Sequence, residues 1–180
     1  MQIPVLNGQI QEAVGELQAN SQVQAALEFL QNDHEATIKQ QMEIAAIPAP
    51  TFMEEKRGEV YRGMLERAGL ENVVCDQVGN IYGHWPGKSS GPTLAVFAHL
   101  DTVFSLDTPV VPEVRDGRIY GPGIADDSRG LVTVLTILRA LRDAEIRTAG
   151  SIIFGATVCE EGLGDLKGVK AFCAEHPNIS

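Results

Sequence analysis

Two apolar runs, residues 93–98 and 151–158, each end abruptly in ionisable side chains. The first runs into Ala98-His99-Leu100-Asp101-Thr102 and the second into Cys159-Glu160-Glu161. An unbroken apolar run reads as a strand buried on both faces. Between them Leu131, Val134, Leu135, Leu138 and Leu141 recur at the spacing of a long amphipathic helix. Strand, helix and strand in that order confine the chain to an α/β arrangement in which helices cover a sheet. A buried strand does not end in charge unless something pairs with it, because an unpaired buried charge is costly. A third acidic knot, Asp126-Asp127, follows the glycine-rich turn Gly121-Pro122-Gly123-Ile124-Ala125.

The flanking segments support the same class. Residues 10–17 and 23–30 are short amphipathic pieces rich in Gln, Glu and Ala. Asn32-Asp33 offers an N-cap for a third helix through Ile38, Met42, Ile44 and Ala45, which Pro48-Ala49-Pro50 stops. Residues 1–50 are expected to pack loosely against the rest. Thr51 followed by Glu54 matches a capping box, opening a helix that carries Val60, Tyr61, Met64, Leu65 and Ala68 and ends at Gly69. Residues 72–76 and 80–85 read as a hairpin, residues 86–92 as a loop, and residues 114–120 as a second hairpin turning at Asp116-Gly117. Gly162-Leu163-Gly164-Asp165 is expected to cap a last helix over residues 166–174.

Composition excludes several functions. The net charge of −10 repels nucleic acid and anionic membrane surfaces. No apolar run is long enough to span a bilayer, and the first nine residues lack the pattern of a signal peptide. Cys75, Cys159 and Cys173 have unrelated spacings, which argues against a zinc-binding Cys pair or a disulfide framework and suits a reducing, cytoplasmic setting.

In open α/β sheets, ligands bind beyond the C-terminal ends of the strands. His99 and Glu160-Glu161 fall at such ends, and Asp126 at a turn before a helix. Imidazole nitrogen and carboxylate oxygens without thiolate suit zinc, cobalt or manganese. The His-x-Asp spacing puts Asp101 near His99, where it can orient the ring. Neighbours in Glu160-Glu161 point to opposite sides, so one can bind metal while the other faces substrate as a general base.

Each residue also has a plainer reading. His99 alone would be a satisfied core histidine, Asp126 and Asp127 helix caps, and Glu160-Glu161 a solvated turn. In register, the three knots favour the metal reading, with Asp127 or Ser128 left to cap the helix. His84 is expected to be structural or exposed, and His34 and His176 to be surface groups. Glu54-Glu55 and Asp143-Ala144-Glu145 are expected on solvated helix faces, and Cys159 at the border of the site.

Together the three knots resemble the N-terminal motifs of the co-catalytic di-zinc metallopeptidases, the group of acetylornithine deacetylase, succinyl-diaminopimelate desuccinylase, aminoacylase and carboxypeptidase. Gly162-Leu163-Gly164-Asp165-Leu166-Lys167-Gly168-Val169-Lys170 is most similar to the peptidase T-like branch. The resemblance implies a zinc-exopeptidase-like three-layer α/β sandwich with a mixed central sheet. It also implies hydrolysis of peptide or N-acyl amino acid amide bonds, with water activated between two zinc ions. His99 would bind the first metal, Asp126 would bridge both across a cis peptide to Asp127, and Glu161 would bind the second. Asp101 would orient His99, and Glu160 would be the general base.

Family members are longer. They supply a further carboxylate ligand, a C-terminal histidine and a lid or dimerisation domain, so residues 1–180 read as the N-terminal part of a catalytic domain. A homodimer is implied for the full-length form, with no nucleic-acid or membrane partner. The alternative expectation is a catalytically incomplete fragment with at most weak metal binding. Ser128-Arg129 stands where the family often has Lys after the Asp pair.

Overall fold

The computed structural model describes residues 8–179. The leader reading rests largely on residues 1–7, outside that range. Three helices come first, α1 (Gly8–Ala19), α2 (Ser21–Asn32) and α3 (His34–Ala45), followed by α4 (Glu55–Arg67). Then come β1 (Glu71–Cys75), β2 (Ile81–Trp85), β3 (Leu94–His99), a small hairpin of β4 (Glu113–Arg115) and β5 (Arg118–Tyr120), α5 (Ser128–Asp143), β6 (Ile152–Thr157) and α6 (Lys167–Glu175). No helix among the described residues is long and apolar enough to cross a membrane.

The main sheet has the order β1-β2-β6-β3 and is mixed. β2 runs antiparallel to both β1 and β6, while β3 and β6 are parallel, joined by the α5 crossover, with Leu94 opposite Ile152 and His99 opposite Thr157. Parallel pairing brings the C-terminal ends of β3 and β6 side by side, so the His99 and Glu160-Glu161 knots emerge together. The strands alternate between two cores. Ile81, Trp85, Val96, Ala98, Phe154 and Ala156 pack with Tyr61, Met64 and Leu65 of α4 and Leu131, Leu135 and Leu138 of α5. Tyr82, Ile153, Ala95 and Phe97 pack with Phe172 of α6 on the other face. These are the three layers the resemblance implies.

Several expectations are corrected. β3 lies at one edge of the described sheet with β6 as its strand neighbour, so only Ala98 and the end of the strand are well covered and Leu94 is exposed. β6, flanked on both sides, is the strand buried on both faces. α1 buries no residue, as loose packing predicts, but α3 seats Thr37, Gln41, Ile44 and Ala45 against the body. Asp33 is the N-cap residue of α3 yet caps nothing: its carboxylate takes Thr37 Oγ1 and the Arg139 guanidinium instead. Asp165 likewise does not cap α6. Leu166 stands at that boundary in a left-handed conformation, and Asp165 pairs with Lys170. His176 is half-buried, its ring centroid 4.4 Å from that of Phe172.

Asn80, fully buried, ties the layers near the site. Its amide donates to Gly168 O (2.9 Å) and its oxygen accepts from Val158 N (3.1 Å), joining the end of β6 to the start of α6. A Cβ at Gly168 would lie 2.4 Å from Val158 O, so only glycine permits this approach.

Candidate metal centre

The first part of the site is the end of β3. Beyond His99 the chain continues through Leu100 and Asp101, both fully buried. His99 Nδ1 lies 3.0 Å from the Asp101 carbonyl oxygen and 3.4 Å from Asp101 Oδ1. That fixes the ring and turns Nε2 outward, where Asp126 Oδ1 is 2.9 Å away and Glu160 Oε2 is 3.9 Å away. Asp101 thus lies beside the ring, and its main-chain oxygen adds an acceptor that residue spacing does not reveal.

Asp101 reaches further than the ring. Its Oδ1 accepts from Glu160 N and its Oδ2 from Glu161 N and from Thr51 Oγ1, each at 2.9 Å. One carboxylate thus fastens the β3 knot to the β6 knot. Burial opposes its charge, but these donors and His99 outweigh burial and hold Asp101 down at about 2. Burial also disfavours the His99 imidazolium, and hydrogen bonds to Asp101 and Asp126 with the Asp127 charge overcome it, raising His99 to about 9.

Of the Asp pair, Asp127 takes the capping place. The Asp126–Asp127 peptide is cis. Asp127 caps α5, accepting from Gly130 N at 2.9 Å, and its other oxygen accepts from His99 N at 3.2 Å. A Cβ at position 130 would lie 2.1 Å from Asp127 Oδ1, so this close cap needs glycine. Asp126 is left with its side chain 75% exposed, free to take a ligand.

Ligand atoms of His99, Glu160 and Glu161 lie within 4.8 Å of one another. Burial and the charges of Asp126, Glu160 and Asp101 raise the Glu161 pKa. Carboxylates crowded around one imidazole repel each other, and a cation relieves that repulsion. The nitrogen and oxygen donors present fit a divalent metal of the zinc, cobalt or manganese type. The five candidates His99, Asp101, Asp126, Glu160 and Glu161 thus converge on one place. His84 and His34 are exposed and outside it, as expected.

Three contributors escaped the sequence reading, two on the approach to α4 and one in its first turn. Thr51 and Glu54 do not form a capping box: α4 starts at Glu55, Thr51 holds Asp101, and Glu54 Oε1 accepts from Phe52 N (3.1 Å) and Cys159 N (3.0 Å). Glu54 is buried rather than on a solvated face. The Thr-x-x-Glu signal was present, but a local pattern cannot show that its two side chains bond to the ends of distant strands. Arg57, also buried, donates through Nε to Ile47 O (2.9 Å), through Nη1 to Leu100 O (2.9 Å) and through Nη2 again to Ile47 O. Burial lowers its pKa to about 10 against the pull of Asp101. Burial and the Glu54 carboxyl push the Cys159 thiol up to about 11, which suppresses thiolate chemistry at this site border.

Comparison with known proteins agrees with this geometry. The model of peptidase family M20/M25/M40 matches residues 95–179. A succinyl-diaminopimelate desuccinylase of Azoarcus sp. (strain BH72) is 34% identical over 61% of this chain and 32% of its own. The aminopeptidase PepT of Bacillus cereus ATCC 10987 superposes with a TM-score of 0.68 at 28% identity, covering 81% of this chain and 41% of that one. The Bacillus subtilis YXEP protein, described as a dinuclear metal binding peptidase, shares the fold with a TM-score of 0.58 at 19% identity over 83% of this chain and 42% of its own. The chain spans about a third of the length of the curated relatives it matches. One matched stretch takes in the strand-end histidine, the Asp pair and the Glu pair in order, so residues 95–179 are similar to peptidase family M20/M25/M40 along the whole run of the site motifs.

Proposed function

We propose that this chain carries the metal-binding part of a hydrolase acting on peptide or N-acyl amino acid amide bonds. The observation that carries the reading is the convergence of His99, Glu160 and Glu161 within 4.8 Å, with Asp126 Oδ1 2.9 Å from His99 Nε2. His99, Asp126 and Glu161 would hold the metal, two zinc ions in a complete site, with cobalt or manganese as substitutes. When bound, such ions supply Lewis acidity to a substrate carbonyl and to water.

The chain's own residues do the rest. Asp101 keeps the His99 ring pointed at the site. Glu160, with an oxygen 3.9 Å from His99 Nε2 and a side chain 40% exposed, can take a proton from water and deliver it to the departing amine. Free thiols at Cys75, Cys159 and Cys173 fit a reducing compartment, and we place the protein in the cytoplasm. Peptidase and desuccinylase relatives both cleave amide-type bonds, and the substrate class follows from what they have in common.

The test is Glu160→Ala in the whole protein, assayed on dipeptides and N-succinyl amino acids alongside metal content. Hydrolysis is expected to fall by about 10²- to 10⁴-fold with metal retained. Unchanged hydrolysis removes the base role, and lost metal makes Glu160 a ligand. A second reading, a chain that binds metal weakly and does no chemistry, is favoured by the openness of Asp126, whose side chain is 75% exposed. Two tightly held zinc ions per chain would exclude it, and one or none would exclude independent catalysis.

A further inference from the structure

The residue before the Glu pair is strained. Cys159 has φ of 54°, a left-handed conformation that a residue with a side chain rarely adopts. The chain leaves β6 through this elbow, and the elbow aims the next two amides, Glu160 N and Glu161 N, at Asp101. Such a conformation persists only where the surroundings over-determine it.

Two contacts grip the elbow. On one side Lys167 N donates to Cys159 O at 3.2 Å, and Gly164 packs so closely that a Cβ there would lie 2.6 Å from the same oxygen. On the other side the Glu54 carboxyl accepts from Cys159 N at 3.0 Å. Glu54 is only 4% exposed, and no ion pair reaches it among the described residues. Burying a carboxyl without a cationic partner is unfavourable, so its location calls for a reason beyond stability. The same oxygen also accepts from Phe52 N, which anchors Glu54 to its own turn, and Thr51 in that turn holds Asp101.

We infer that Glu54 is a positioning residue for the metal centre: by binding Cys159 N it locks the left-handed elbow that presents Glu160 and Glu161. It touches neither metal nor substrate. The inference rests on the reading of the site as a metal centre for one arm of its test, while the other arm needs no metal.

The first arm measures amide hydrogen exchange in the metal-free chain for wild type, Glu54→Ala, Glu54→Asp and Glu54→Gln. Asp is one methylene too short to span from its turn to Cys159 N, and it guards against a failure of the Ala variant to fold. Gln keeps an oxygen acceptor of the same reach. Exchange at Glu160 N and Glu161 N is expected to rise at least about tenfold in the Ala and Asp variants and to stay near wild type in Gln, with Phe154 N and Ala156 N inside β6 unchanged in all. A rise shared equally by the β6 amides, or no rise, overturns the inference, because Glu54 is then ordinary packing or nothing. The second arm titrates Co²⁺ and follows its visible absorption. Affinity is expected to drop about 10- to 100-fold in the Ala and Asp variants and to be restored in Gln. A wild type that binds Co²⁺ while all variants bind it equally overturns the clamp and leaves the metal reading intact. A wild type that binds none overturns the metal reading, and the exchange arm then decides the clamp alone.

Discussion

At Asp101 a single carboxylate with no solvent exposure satisfies donors from three segments: Thr51, His99, and the amides of Glu160 and Glu161. Asp101→Asn keeps the shape and turns one acceptor into a donor facing a donor. A buried amide N–H left unpaired costs about 1–3 kcal/mol. Thermal denaturation should show a loss of that size, and an unchanged midpoint would contradict the tie. Tyr61 offers a pH-dependent counterpart. Its hydroxyl donates to Leu131 O at 3.0 Å, and burial, aided by the Asp127 charge, raises its pKa well above the ordinary value. In the unfolded chain the phenol ionises near about 10. Below that pH both states hold the proton and the stabilisation is complete. Above it the unfolded state loses the proton first, so stability falls by up to about 1.4 kcal/mol per pH unit. Tyr61→Phe should lower stability at neutral pH by about 0.5–1.5 kcal/mol and flatten the alkaline limb, as read by urea unfolding across that range.

Helix α5 carries the core and the site together. Its buried face of Leu131, Leu135 and Leu138 covers the sheet, and its N-terminus is Asp127, which also holds His99 N. Leu135→Ala should cost about 2–5 kcal/mol by calorimetry, because a fully buried leucine leaves a cavity in rigid surroundings. A loss well below that would mean the site collapses around the gap. The apolar period that marks α5 was plain in the sequence, as were both hairpins and the turn at Asp116-Gly117, where φ is 51° and 71°. These features follow from side-chain spacing and local backbone preference. What escaped depends on strand neighbours. Residues 93–98 are as apolar as residues 151–158, yet β3 lies at an edge and β6 between two strands, and nothing within either run records its place in the order. The same limit explains Glu54 and Thr51, whose local spacing suits a helix cap while Glu54 accepts from Phe52 N and Cys159 N and Thr51 donates to Asp101. The five candidate site residues could be picked out because each stands near the end of an element that its own segment defines, and the fold brings them close together.

Over the whole molecule, the donors His99, Asp126 and Glu160-Glu161 come from the end of β3, the turn before α5 and the end of β6, and only the folded sheet brings them together. An unfolded chain has no such constellation, so metal that binds here binds the native state and raises its stability by mass action. At a free concentration 100 times the dissociation constant the gain is about 2.7 kcal/mol. For a chain of this size that corresponds to a rise of about 5–10 °C in melting temperature. Zn²⁺ or Co²⁺ added to metal-free protein should produce that rise, and EDTA should reverse it. The net charge of −10 demands a control, since carboxylates scattered over an acidic surface also attract cations. His99→Ala removes the one nitrogen donor of the cluster and leaves every surface carboxylate in place. The shift should vanish in that variant. If it survives, the stabilising metal sits on the surface and the convergence at the ends of β3 and β6 is not where it binds.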